Sequence, residues 1–467
     1  MSSTRWLVMI LFMLPATESS GQLVTPAMED SVNVWYGYDQ SFGNTGTVQR
    51  SVNILGDVSS LAVEALLFTL NDGVARSLAI GPDRRRLARK GDFNAEIPVD
   101  ELRRGPNRVR IEALDSSGIS HAAEVIVHWD PSPAEVSTSI DWGEVSRLNE
   151  VAQPIDGLWH IDEGQLISAP GAVGYDRAIG FGDRRWRDYE VLFPFMVVDL
   201  DTTSFQSEES RAPALMALIR WQGHTDAPVL CLQPSCGWDT FGAMMEFAFG
   251  RDSLGVGQLR TAWPDAKRVG LNMSIEVDRT YWVRIAADSG PAGNLYSVKV
   301  WPDDLGKEPE AWSAQKIAGP VNLSRGSFLL VAHHLDLRVG NLDFVQEPDM
   351  RNTIATLLMR FPEWIVEVPI IAVWVAGIFW ALVFSGRDPA RGRWLVLSFS
   401  VLLSTAIVGS ALLHVVPSYV QESGWIMRRV TYVYVVVHAV PIVGHVVGFG
   451  IIFKVLLPTT SRNTGQS

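Results

Sequence analysis

The sequence predicts a mainly β ectodomain of two sandwiches, followed by three C-terminal transmembrane α-helices. Three observations carry this. Apolar runs at 365–385, 394–416 and 430–457 each hold the roughly 20 residues that cross a hydrocarbon layer of about 30 Å. Short stretches of alternating polarity, parted by Gly, Asn, Asp and Pro clusters, fill the chain before them. At the start, Arg5 precedes a short apolar run from Trp6 to Leu14, which Pro15 and small residues end. That is the pattern of a secretory signal peptide over 1–21, and it is too short to span a bilayer.

An exported N-terminus makes the first span run outward to inward. The loop with Arg387, Arg391 and Arg393 is then cytoplasmic, as the excess of basic residues inside requires. Arg428 and Arg429 in the outer loop oppose this reading, and Glu422 partly offsets them. The expected location is a cell membrane, inner or plasma. The chain crosses it several times, with a periplasmic or extracellular ectodomain and a cytoplasmic C-terminus.

The chain of 467 residues accommodates two soluble domains beside the membrane part. A net charge of −12 argues against nucleic acid as a partner. One basic run, Arg84-Arg85-Arg86 with Arg89 and Lys90, reads as a solvated hairpin loop. The sharper alternative is a patch for anionic lipid or acidic glycan. The only two cysteines, Cys231 and Cys236, are the disulfide candidate in an exported domain. So short a loop contributes roughly 2 kcal/mol.

Residues 23–130 form the first β domain. Strand-like segments such as Val32–Tyr36, Ala65–Leu70, Arg108–Ala113 and Ala123–His128 alternate with turn signals such as Asn71-Asp72-Gly73 and Gly105-Pro106-Asn107. The stretch L-R-R-G-P-N-R-V-R-I-E-A-L-D-S-S-G resembles the late hairpin of bacterial immunoglobulin-like and fibronectin-like modules. That resemblance implies a spacer or interaction platform. Residues 131–140, with Pro131 and Pro133, read as a linker.

Residues 141–345 form the second domain, with nine of the 17 Trp and about ten strand-like runs. This argues for a large two-sheet jelly roll. Its segments G-L-W-H-I-D-E-G-Q-L-I-S, W-R-D-Y-E-V-L-F-P-F, Y-W-V-R-I-A-A, N-L-Y-S-V-K-V-W-P-D and H-H-L-D-L-R-V-G-N-L-D-F follow in an order that resembles the concanavalin A-like lectin/glucanase superfamily, in its laminin-G-like branch. The resemblance implies a curved sheet whose concave face binds sugars. The glucanase motif Glu-x-Asp-x-x-Glu is approached by Glu276 and Asp278, but Tyr281 stands where the third acid belongs. That departure argues against this hydrolase chemistry.

The ligand-binding candidates are Arg220, Trp221, His224 and Asp226, a cation, an aromatic face, an imidazole and a carboxylate at one strand end. Trp238 and Glu246 extend the same rim. Sugars need this mixture of flat apolar surface and convergent polar groups. The plain alternative is a core Trp followed by a solvated turn. Gly180-Phe181-Gly182-Asp183 with Trp186 is a second candidate, equally readable as turn and core. His333 and His334 with Asp336 suggest a metal, but adjacent strand residues face opposite ways, so no metal site is expected. No catalytic residue is assigned. No cofactor is expected either, although calcium stays open.

Residues 346–364 read as a stem entering the membrane. His414, His438 and His445 are intramembrane ionisable groups; haem ligation is disfavoured against helix–helix hydrogen bonding. Gly444 and Gly448 form a small-xxx-small pattern for close helix packing, within the chain or against a membrane protein partner. Together these readings favour a membrane-anchored protein that binds glycan or envelope polysaccharide. The alternatives are an assembly subunit that meets protein partners and a glycoside-acting enzyme.

Overall fold

The structure is a computed structural model. It describes residues 32–58, 62–83, 85–117, 120–132, 138–168, 176–203, 212–225, 233–237, 240–262, 266–290, 293–319, 322–345, 364–423 and 427–457. The expected signal peptide and nearly all of the stem lie outside these residues.

The first sandwich comprises β1 (Asn33–Val34), β2 (Asp39–Phe42), β3 (Ser51–Asp57), β4 (Val63–Leu70), β5 (Arg76–Ser77), β6 (Asp92–Pro98), β7 (Gly105–Asp115) and β8 (Ser120–Trp129). One sheet runs β1-β3-β6 and the other β2-β8-β7-β4-β5. The pairing of β2 with β8 is parallel; the rest are antiparallel. Alternation on β7 sends Val109, Ile111 and Ala113 inward and Arg108 and Arg110 to water. They meet Ile54, Phe93 and Ala95 of the facing sheet.

The second sandwich holds β9 (Thr138–Ile140), β10 (Gln153–Asp156), β11 (Trp159–Asp162), β12 (Gln165–Ser168), β13 (Asp176–Phe181), β14 (Tyr189–Leu200), β15 (Ala214–Trp221) and β16 (Ala243–Phe249). It continues with β17 (Leu254–Thr261), β18 (Arg268–Glu276), β19 (Thr280–Gly290), β20 (Gly293–Pro302), β21 (Ala314–Ala318), β22 (Ser327–His333), β23 (Leu335–Val339) and β24 (Leu342–Val345). A seven-stranded sheet, β10-β13-β22-β15-β16-β17-β18, faces a sheet built on β11-β12-β23-β14-β19-β20-β21, to which β24 and β9 add. Between them lies an aromatic core that includes Phe181, Phe193, Phe195, Phe247, Phe328 and Phe344. Several strands of the seven-stranded sheet are buried on both faces, because the first sandwich lies on part of the outer face. That is why β15 and β22 read as near-continuous apolar runs rather than alternating ones.

The contact between the sandwiches is tight and polar at its centre. Arg86 is buried, and its Nε donates to both carboxylate oxygens of Asp156 at 2.9 Å. Its Nη1 donates to Glu96 and to the Ser235 carbonyl. Asn94 Nδ2 donates to Ile155 O at 2.9 Å, and Gln153 Nε2 to Ser51 O at 3.0 Å. Val48 of the β2–β3 loop presses on Gly180, where an added Cβ would meet Val48 Cγ1 at 2.3 Å. The basic run therefore is not a solvated loop at Arg86. Burial raises the Glu96 carboxyl, but the Arg86 and His224 charges and the hydrogen bonds from Arg86 and Ser235 bring it below its ordinary value.

Three helices follow, Trp364–Ser385, Pro389–Ser423 and Met427–Leu456. By length and composition one segment among the described residues, Pro389–Gly409, is long and apolar enough to cross a membrane; Ile370–Ser385 and Pro441–Val455 are shorter apolar stretches. The second helix exceeds the expected 394–416 at both ends. An added Cβ on Gly444 would meet Thr405 Oγ1 at 2.1 Å, and one on Gly448 would meet Leu402 at 2.6 Å. Both glycines thus seat the third helix on the second within the chain. Ser398 Oγ donates to Gly448 O at 2.6 Å across the same contact.

Arg86→Ala strips the counter-charge from two buried carboxylates, a loss of about 3–5 kcal/mol. Arg104→Ala removes an exposed pair with Asp130, worth within about 1 kcal/mol. Chemical denaturation of the two variants should separate them by that margin.

Candidate functional site

Part of the seven-stranded sheet's outer face is the floor of a cleft of about 470 Å³, in which Leu218, Phe241 and Met244 are nearly buried. Strand alternation decides which residues reach it. On β15, Leu215, Ala217 and Ile219 enter the aromatic core, so Met216 and Leu218 face outward. Register then aligns Met216 with Glu246 of β16, and Glu246 with Gln258 of β17. One step along, Met244 lies beside Leu218 and Arg260. Asp176 and His333 stand opposite each other on β13 and β22 at one end. Arg85 and Arg86 of the first sandwich, with Cys236, form the far wall.

The polar groups in this cleft are individually held. Gln258 Nε2 donates to Glu246, which keeps that carboxylate half-buried against the floor. The ring of His333 is fixed through Nδ1 by Asp176. Arg85 Nη1 lies 3.3 Å from Cys236 Sγ. The Arg260 guanidinium sits over the Phe241 ring at 5.6 Å, and its Nη2 is 3.9 Å from Met244 Sδ. Met216, Leu218, Met244 and Phe241 supply the apolar part. The whole is an amphipathic trough with carboxylates, guanidinium groups and an imidazole around its edge.

The sequence-predicted set is divided by the fold. Glu246 lines the cleft. Arg220 does not: a bulge between Ile219 and Trp221, with Arg220 at φ 57°, turns its side chain into the sandwich. There Nε donates to Arg187 O at 2.9 Å, and Nη2 to Asp188 Oδ1 at 3.0 Å and Ser289 Oγ at 2.9 Å. Nη1 lies 3.3 Å from Leu323 O. The same bulge sends Trp221 outward, where it is fully buried in the apolar cluster with Val48. His224 packs edge-on to Trp221 at 5.5 Å and lies 3.5 Å from Asp156, inside the joint between the sandwiches. Asp226, Trp238 and Cys231 lie outside the described residues. Cys236 is disulfide-bonded, and Cys231 is the chain's one other cysteine. His445 Nδ1 is 2.7 Å from Pro441 O, one turn back on its own helix. The side chains of His414 and His438 are outside the described ones.

His333 and His334 also separate by partner. His334 takes φ 52°, reaches Asp201 at 3.2 Å, and is lowered by burial and by the neighbouring His333. Asp336 pairs with Arg177 at 2.7 Å. Among the described residues no group of three or more metal-ligating side chains occurs. Gly180 and Phe181 serve joint and core, and Asp183 accepts from Thr47 N at 3.0 Å, again between the sandwiches.

Sequence reasoning missed Asp176, Met216, Met244, Arg260 and His333 as one surface. A period-2 reading of β15, β16 and β17 assigns the outward positions, but which strands lie side by side follows only from the order β13-β22-β15-β16-β17.

No protein-family model matches the sequence, and none of the curated proteins matches it. Solved structures do match. One, described as Bacteroides ovatus Xyloglucan PUL GH43B, is 11% identical, covers 65% of this chain and 67% of its own, and has a TM-score of 0.28. Lectin I from Ulex europaeus, in complex with the methyl glycoside of α-L-fucose, is 9% identical over 45% of this chain and 98% of its own, with a TM-score of 0.27. Lectin II from Ulex europaeus is 10% identical over 45% and 99%, with a TM-score of 0.26. Superpositions this loose say nothing of what this chain binds.

The cluster around Arg220 has a pH signature. Burial and the Asp188 charge push the Asp288 carboxyl up to about 7, against the opposing pull of Arg220. The folded chain then holds this proton more tightly than the unfolded one, so stability falls as pH rises from about 4 to about 7. Asp288→Asn should stabilise the protein at pH 8 by on the order of 2 kcal/mol and leave it unchanged at pH 3. Thermal unfolding across that range measures it.

Proposed function

We propose that this chain is a membrane-anchored extracytoplasmic protein that binds glycan or envelope polysaccharide in the cleft on the seven-stranded sheet. The observation that carries the reading is the cleft itself. Its volume falls in the range of small-molecule sites, about 300–1,000 Å³. Its lining sets Met216, Met244 and Phe241 beside Glu246, Arg260 and His333, with Gln258 holding Glu246 from the neighbouring strand. A sugar offers apolar CH faces to the first group and hydroxyls to the second. In this reading the second domain, 141–345, is a concanavalin A-like jelly roll. The first, 23–130, is an immunoglobulin-like module, consistent with the parallel pairing of β2 and β8.

Multi-pass anchoring is part of the proposal. The first and third helices turn Phe379, Trp380, Ile442, Val446 and Phe453 outward and exposed, a surface suited to lipid. A C-terminus in the cytoplasm follows from three spans after an exported start. The assembly-subunit reading is weaker, because the Gly444 and Gly448 face that a partner helix would use is occupied within the chain. A glycoside-acting enzyme is the second reading, favoured by the Asp176–His333 pair. A carboxylate that fixes an imidazole at a cleft wall is the arrangement a general base uses. Turnover of a glycoside panel, abolished in His333→Ala, would support it.

Two outcomes are expected. The full chain in nanodiscs should bind oligosaccharides of the cell envelope, and Glu246→Ala should weaken that binding at least tenfold in calorimetric titration. A periplasmic reporter fused at residue 250 should be active and a cytoplasmic one silent; the reverse would overturn the topology.

A further inference from the structure

The geometry points to an acidic saccharide, one that carries a carboxylate or sulfate, with Arg260 as its anion anchor. This inference rests on the cleft reading above and narrows its ligand class.

The charged groups around the cleft are Arg85, Arg86, Asp176, Glu246 and Arg260. All but one have polar or charged partners from the protein. Arg86 is neutralised by Asp156 and Glu96. Arg85 reaches Cys236 and makes further contacts. Asp176 is held by His333, and Glu246 by Gln258. Arg260 is the exception among the described residues. No carboxylate lies within ion-pair distance of it. Its neighbours are a thioether at 3.9 Å and an aromatic ring at 5.6 Å. Its Nε is enclosed and has no hydrogen-bond partner.

An enclosed donor left without an acceptor costs about 1–3 kcal/mol. Surface arginines avoid that cost by turning to water. Here the Phe241 ring and the Met244 thioether hold the planar fork at the cleft, so the partly exposed Nη groups are preorganised to meet a ligand there. The five N–H groups of a guanidinium match a carboxylate or sulfate with two parallel hydrogen bonds. Glu246, one strand away and diagonal to Arg260, is already engaged by Gln258. It is placed to accept from hydroxyls of the same ligand and to repel an anion bound in the wrong register.

The test compares a hexuronate oligosaccharide with a neutral hexose oligosaccharide of equal length, titrated against the full chain in nanodiscs. The expected result is at least tenfold tighter binding of the hexuronate, with a preference that shrinks as salt rises. Arg260→Gln should bring the ratio of the two affinities close to one. Arg260→Lys, which keeps the charge and loses the fork, should give an intermediate ratio. Circular dichroism confirms that each variant folds, and the lysine variant carries the test if the glutamine variant does not. Equal affinities in the parent protein, or a ratio unchanged by both substitutions, would overturn this inference and leave the cleft reading intact. Binding of neither oligosaccharide, nor of any other envelope saccharide, would sink the cleft reading and this one with it.

Discussion

A guanidinium sealed between two carboxylates fixes how the two sandwiches meet. Arg86 belongs to the first sandwich and Asp156 to the second, and both are buried. Any rigid rotation of one sandwich against the other separates these charges while they remain desolvated, or admits water to a joint that excludes it. Both are costly. Specificity of orientation is the role such a pair plays here. Val48 on Gly180 adds steric registration, and the Tyr36 hydroxyl, 2.9 Å from Gly157 O, adds a polar one. The walls of the cleft come from both partners of this joint, so the joint sets its width.

Much of the fold is readable from local pattern. The strands β7 and β8 alternate cleanly because one face meets a core and the other meets water. The three apolar helices declare themselves by composition, whereas the expected linker 131–140 runs too far, because Thr138–Ile140 pairs with β24 as the edge strand β9. What local pattern misses is set by tertiary contact. The strands β15 and β22 lack alternation because apolar neighbours cover much of both faces. A strand end suggests a surface position for Arg220, but a single bulge reverses its direction. A run of arginines suggests a solvated Arg86; nothing local announces that Asp156, 70 residues on, takes it up. In the site, Glu246 was legible as a carboxylate near the strand end. Its neighbours Met216 and Arg260 come from strands paired on either side, and strand order is not a local property.

The C-terminal helices show the same division. Length and hydropathy announce helices, and the spacing of Gly444 and Gly448 announces a close approach. Which helix approaches is decided by Thr405 and Leu402, which fill the space a side chain would occupy. A small-residue stripe describes a capacity for contact; the partner it meets is a property of the assembled bundle.

The cleft is a composite. Its floor is a sheet of the second sandwich, and Arg85 and Arg86 on its far side come from a loop of the first. Cut free, the second sandwich would lose Val48 from the apolar cluster around Trp221 and leave Asp156 without Arg86. The cleft is therefore indivisible: neither module owns it, and parting the two sandwiches would remove one wall and strip the cover from the other.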